Sequence, residues 1–160
     1  MPFDAPFMIG PFSVDSTGRL SPGDPDTAPA FLFRWHDRTV RARLAQADAG
    51  TGRLRMQVTV GRVPSTASTP DETIRPRSFA LLRGLMKSAP VGWHMDLLAD
   101  HRVWLEADRA IALPITAAGL ITEITCFVLD LAPYLDLLDE TGLALAAGCP
   151  AEPQAASCVT

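Results

Sequence analysis

Hydrophobic and polar residues alternate with period two along three consecutive stretches in the first half of this chain. Phe31, Phe33 and Trp35 alternate with Leu32 and Arg34; Val40, Ala42 and Leu44 alternate with Thr39, Arg41 and Arg43; Leu54, Met56, Val58 and Val60 alternate with Arg53, Arg55, Gln57 and Thr59. Successive side chains of a strand point to opposite faces, so each stretch has one dry side and one wet side. A turn at His36-Asp37-Arg38 and a loop through Asp48, Gly50 and Gly52 join the three. Short connections between such stretches mean an antiparallel meander. A second sheet section follows, with Trp93, Met95 and Leu97, a turn over 99–102, then Val103, Leu105 and Ala107; residues 110–113 are expected to add a further short strand.

The period changes near the end. From 117 to 140, Leu120, Ile121, Ile124, Phe127, Val128, Leu131, Tyr134, Leu135 and Leu138 recur at spacings of three and four, which makes one broad apolar stripe on a helix. Thr116 stands where an N-cap belongs. Pro133 removes one helical hydrogen bond and predicts a kink near Leu129 or a restart. Burying eight or nine such side chains is worth roughly 1.5–3 kcal/mol each before entropy, so the stripe requires a sheet to lie on. A shorter helix is expected over 77–88, with Phe79, Leu82, Leu85 and Met86 on one side and Gly84 placed where another backbone can approach closely.

The remaining segments are punctuation. Residues 7–14 read as an edge strand interrupted by Gly10-Pro11, and 21–29 as a Pro-rich loop. Residues 63–76, rich in Pro, Ser and Thr, are expected to form a mobile loop, and 143–160 a flexible tail with too few large apolar residues for a core. The organisation is therefore an N-terminal edge strand and Pro-rich loop over 1–30, one α+β domain over 31–142, and the tail. Its architecture is a largely antiparallel, twisted sheet of five or six strands with two helices packed on it.

Composition narrows the function classes. A chain of 160 residues with 48% hydrophobic and 20% charged residues is an ordinary soluble domain. Its net charge of −4 argues against a dedicated nucleic-acid binder. The charge is uneven: residues 1–70 hold 8 basic and 6 acidic residues, 71–160 hold 6 and 12. That split suits subunits or partners that meet basic face to acidic face. Three cysteines, Cys126, Cys149 and Cys158, do not make a disulfide framework and read as free thiols of a reducing compartment. With no signal-like start and no uninterrupted apolar run, the expectation is a cytoplasmic protein without a membrane segment.

No dinucleotide, phosphate-loop, zinc-ligand or nucleophile-elbow motif occurs, so no cofactor or metal is called for and no catalytic residue is assigned. Two candidates remain for binding. Arg34, Arg41, Arg43, Arg53 and Arg55 should project together from the wet face of the meander, where like charges across neighbouring strands require acidic groups to offset them. Those groups are nearby carboxylates, an acidic protein segment or nucleic-acid phosphates. The second candidate is the side of the shorter helix carrying Phe79, Leu82, Leu85 and Met86, which serves the core or a second subunit. His94 and Asp96, two apart on a strand, are the sole candidate pair for a metal or proton site and read more simply as a solvated pair.

The order of elements carries a resemblance. Three antiparallel strands, a helix with the run Phe79-Ala80-Leu81-Leu82-Arg83-Gly84-Leu85-Met86, a hairpin over 93–107, an Ile111-Ala112-Leu113-Pro114 segment and a long helix with Phe127-Val128 follow one another. Over 31–140 this resembles the type III secretion chaperone-like family, the small acidic chaperones of bacterial secretion systems. The resemblance implies a non-enzymatic α+β homodimer that holds an extended client segment by apolar patches and added strand pairing, with the Phe79–Met86 helix as dimer element. Where family members have an amphipathic N-terminal helix, this chain has a strand and a Pro-rich loop. A nucleic-acid-binding module using the arginine face, and a structural or interaction protein, are the alternatives.

Overall fold

A computed structural model describes residues 5–65 and 72–141 of the chain. The expected tail with Cys149 and Cys158, and residues 66–71 of the loop expected over 63–76, lie outside the described residues. Near the N-terminus, Gly10 and Pro11 do more than interrupt a strand. Gly10 sits at φ +53°, a left-handed conformation open to glycine, and the chain reverses there. Strand β1 (Phe7–Ile9) thus folds back on β2 (Phe12–Val14), and β3 (Leu20–Pro22) completes a small three-stranded sheet. The single edge strand expected over 7–14 is a hairpin, because the glycine permits the reversal that the proline alone does not.

The main sheet has five strands, all antiparallel: β4 (Ala30–Trp35), β5 (Arg38–Asp48), β6 (Thr51–Arg62), β7 (Trp93–Leu97) and β8 (Arg102–Ala112), in the order β4-β5-β6-β8-β7. The meander read from the alternation is β4-β5-β6. His36 and Asp37 alone make its first turn, at φ +45° and +59°, the paired left-handed geometry that matches hairpin twist. Arg38 therefore belongs to β5. No separate strand covers 110–113; β8 runs through Asp108-Arg109 without a break, with Asp108 bonded to Arg53 and Arg109 paired with Glu123.

Helix α1 (Ile74–Lys87) carries the chain from β6 to the far edge at β7, and α2 (Ala117–Glu140) follows β8. Pro76 lies in the first turn of α1, where its missing N–H costs nothing. Thr116 caps α2, its hydroxyl accepting from the Gly119 N–H at 3.1 Å. Pro133 does not restart α2, which is unbroken; the carbonyl it leaves unpaired, that of Leu129, belongs to the exposed side, where water can replace the lost partner.

Both helices cover one face of the sheet. The dry residues Val40, Ala42, Leu54, Met56, Val58, Leu105 and Ala107 form one cluster with Phe127, Leu131, Leu135 and Leu138 of α2 and Leu82 and Leu85 of α1. Trp93 binds the layers: its ring packs 5.5 Å from Phe127 and 5.7 Å from Tyr134, whose hydroxyl donates to the Ser88 carbonyl at 2.8 Å. Phe12, Val14 and Leu20 of the small sheet are buried in the same cluster. Ile121, counted in the apolar stripe, is 63% exposed. It stands 100° around the helix from buried Leu120, beyond the reach of the sheet.

Candidate functional site

With both helices on one side, no helix covers the other face of the sheet among the described residues. Facing residues of paired antiparallel strands share a side. The pairs Leu32↔Arg41, Arg34↔Thr39, Arg43↔Arg55, Ala45↔Arg53 and Arg41↔Gln57 thus bring Arg34, Arg41, Arg43, Arg53 and Arg55 onto this one face, as the alternation predicts. Across the next pairing stand Asp108, opposite Arg55, and Glu106, opposite Gln57.

These carboxylates divide the arginines into two groups. Arg53 grips Asp108 with two parallel hydrogen bonds, Nε to Oδ1 at 2.9 Å and Nη2 to Oδ2 at 2.8 Å. Arg55 lies between Glu106 at 3.2 Å and Asp108 at 3.6 Å, and Gln57 donates to Glu106. The hydrogen bond from Arg53 holds the Asp108 carboxyl below its ordinary value, against partial burial, with the charges of Arg53 and Arg55 adding to it; the Arg53 guanidinium is raised in return. This half of the face is neutralised.

The other half is not. Among the described residues, Arg41 and Arg43 have no carboxylate within ion-pair distance, and Arg34 has the exposed Asp37 at 3.7 Å. Arg41 stands opposite Leu32, which is 55% exposed although apolar. Strand β4 is also the edge of the sheet, with no strand on its outer side among the described residues. Its other side chains, Phe31, Phe33 and Trp35, are half-buried at the rim of the helix-covered face. An unpaired backbone edge, an aromatic rim and an unneutralised basic strip therefore meet along β4 and β5.

The α1 candidates are split differently. Leu82 and Leu85 are buried in the chain's own core, while Phe79 and Met86 are half-buried. Phe79, Leu82 and Met86, with Met95, Leu97 and Val103, line an open groove of about 210 Å³ between α1 and β7. A Cβ at Gly84 would meet nothing within 4 Å among the described residues, so no backbone of theirs approaches there. His94 and Asp96 do share the open face on edge strand β7, opposite Glu106 and Trp104, but no hydrogen bond or ion pair joins them. Among the described residues no cluster of three His, Cys, Asp or Glu side chains forms.

One ionic contact is hidden by the turn expected at His36-Asp37-Arg38. Arg38 faces the helices, its side chain 10% exposed, and donates to the Val60 carbonyl at 3.1 Å and to Asp139 of α2 at 2.9 Å. The signal for it is parity: Arg38 is in phase with Val40, Ala42 and Leu44. The fold is a two-layer α+β domain in which, among the described residues, one sheet surface is left uncovered. Compared with known proteins, the chain matches no family model, no curated protein and no solved structure.

Proposed function

We propose that the chain is a non-catalytic protein-binding module of the secretion-chaperone-like kind, which holds an extended, acidic client segment along β4. The observation that carries this reading is the pair Arg41 and Arg43, which among the described residues have no carboxylate at ion-pair distance and lie beside exposed Leu32 and an unpaired sheet edge. An added strand takes up the free backbone groups of β4, and its alternate side chains face two different surfaces. Those on one side lie near Phe31, Phe33 and Trp35; those on the other lie over Leu32 and the arginines. Carboxylates in the second set neutralise a strip that Glu106 and Asp108 do not reach. Nucleic-acid phosphates would satisfy the same charges, but β4 offers them no run of exposed aromatics on the arginine side for base stacking.

The test is binding of two labelled probes: an extended peptide alternating Glu with Leu, and a single-stranded oligonucleotide of similar length. The peptide should bind and weaken as salt is raised from about 50 to about 200 mM, on the Debye screening expected of exposed charges. Arg41→Glu with Arg43→Glu should weaken it by about tenfold or more, while His94→Ala leaves it unchanged. Binding of the oligonucleotide alone would replace this reading with the nucleic-acid one, and binding of neither would end both.

A further inference from the structure

The side of α2 turned away from the sheet is as uncharged as a core face from Ala118 to Leu129. Ala118, Ile121, Thr122, Thr125, Cys126 and Leu129 are all exposed there, with Ile121 at 63% and Leu129 at 62%. By length and composition α2 could cross a membrane, yet its inward residues Phe127, Leu131 and Leu135 are fully buried against the sheet. That side is committed, and only the outward one is free.

From this face we infer that α2 is a self-association surface, on which two copies of the chain pack their α2 helices antiparallel about a two-fold axis near Thr125. Three features select a second copy. Ile121, Thr125 and Leu129 form one i, i+4 ridge, the unit that interdigitates between packed helices. Ile121 and Leu129 lie about 6 Å to either side of Thr125 along the axis. A two-fold through Thr125 therefore sets Ile121 against Leu129 of the partner subunit twice over, as an isologous interface requires.

Charge supplies the third feature. The first turn of α2 has no acidic residue, and Glu123 is already paired with Arg109 at 3.3 Å. Exposed Asp130, Asp136 and Glu140 all lie in the C-terminal half. With the axis at Thr125, antiparallel packing sets Asp130 over the first turn of the partner's α2 and carries Asp136 and Glu140 just past its start, the end where the helix dipole is positive. Parallel packing would set acid on acid. The pattern complements itself in one orientation. A single helix against its copy falls at the small end of stable interfaces, so the dimer should depend on concentration. It lies on the layer opposite the arginine strip and leaves both strips open, so it does not depend on the client-binding reading.

Cys126 gives a direct measurement, because it lies beside the axis and is exposed. In a background with Cys149→Ser and Cys158→Ser, a short bis-maleimide should link two chains through Cys126. Sedimentation over a range of concentrations should show a dimer that Ile121→Glu with Leu129→Glu converts to monomer without loss of the circular-dichroism helix signal. Phe79→Glu with Met86→Glu, in the α1 groove, should leave the dimer in place. A chain that is monomeric at every concentration, a dimer abolished only by the α1 substitutions, or a dimer that Cys126 fails to cross-link would each overturn the inference. Flotation of the wild-type chain with phosphatidylcholine vesicles, lost in the Ile121 and Leu129 variant, would assign the face to a lipid surface instead. The Cys126 cross-link decides even where the double variant fails to fold.

Discussion

At the scale of single residues, Asp108 is the most consequential ionisable group on the sheet. Its side chain is 11% exposed and held by both Nε and Nη2 of Arg53. Its carboxyl is lowered in the folded chain, first by that hydrogen bond and then by the two guanidinium charges. A lowered folded value means that the contribution to stability is complete above the unfolded value near 3.8 and is lost as pH falls through the folded one. Asp100 is lowered in the same direction, chiefly by the Arg102 N–H, and Asp15 by the Thr17 hydroxyl. Asp108→Asn should therefore cut stability at neutral pH and flatten the acid limb of the stability curve. Urea titrations between about pH 2 and 6 would read both effects, and an unchanged acid limb would mean that Arg53 finds another partner. The same contact separates the arginines that the fold uses from those it leaves free. Nothing in the alternation of Arg41, Arg43, Arg53 and Arg55 distinguishes them until β8 is laid beside β6.

Elements show where sequence reasoning succeeds and where it stops. Period two along β5 and β6 reflects one dry face, so these strands and their wet residues are legible in the order of residues alone. The order β6-β8-β7 is not, because it depends on α1 carrying the chain over β8 to the far edge, and a crossover leaves no mark on local periodicity. Register is hidden too, and with it the pairing of Arg55 with Asp108. The apolar stripe expected on α2 is too wide: Ile121 has the right residue type and spacing but sits past the edge of the sheet. Arg38 is the opposite case, a polar residue on a dry position. Its bond to Asp139 fastens the start of β5 to the last turn of α2, a separation of 101 residues. Asp139 is itself about half exposed, so solvent screens the pair. Asp139→Ala should cost roughly 1–2 kcal/mol, the range for a partly screened, charge-assisted hydrogen bond whose partner stays largely buried. The end of α2 should then exchange amide hydrogens faster than its middle by a matching factor, which hydrogen-exchange mass spectrometry would measure.

At the scale of the whole molecule, the division at residue 30 can be put to a thermodynamic test. The small N-terminal sheet hydrogen-bonds to the main body beyond its own strands: the Leu20 N–H donates to the Ile115 carbonyl at 2.8 Å and the Ala117 N–H to the Gly18 carbonyl at 3.1 Å. Phe12 is 4% exposed and meets Phe31 edge to face at 5.9 Å. A hairpin of three-residue strands has no stability of its own in water, so its order is borrowed from the core it helps to close. Loss of a buried phenylalanine ring costs about 3–5 kcal/mol, a large share of the roughly 5–15 kcal/mol typical of a domain. If the two parts form one cooperative unit, Phe12→Ala should lower the stability reported by the helix signal, which arises from α1 and α2, by that full amount in a single transition. If residues 1–30 are instead an appendage, the helix transition should stay where it is in the wild-type chain while protease cuts the N-terminal segment at low denaturant. The shared burial of Phe12, Val14 and Leu20 with Leu44 and Ile115 favours the first outcome, because removing one wall of a closed apolar cluster lets water reach all the others.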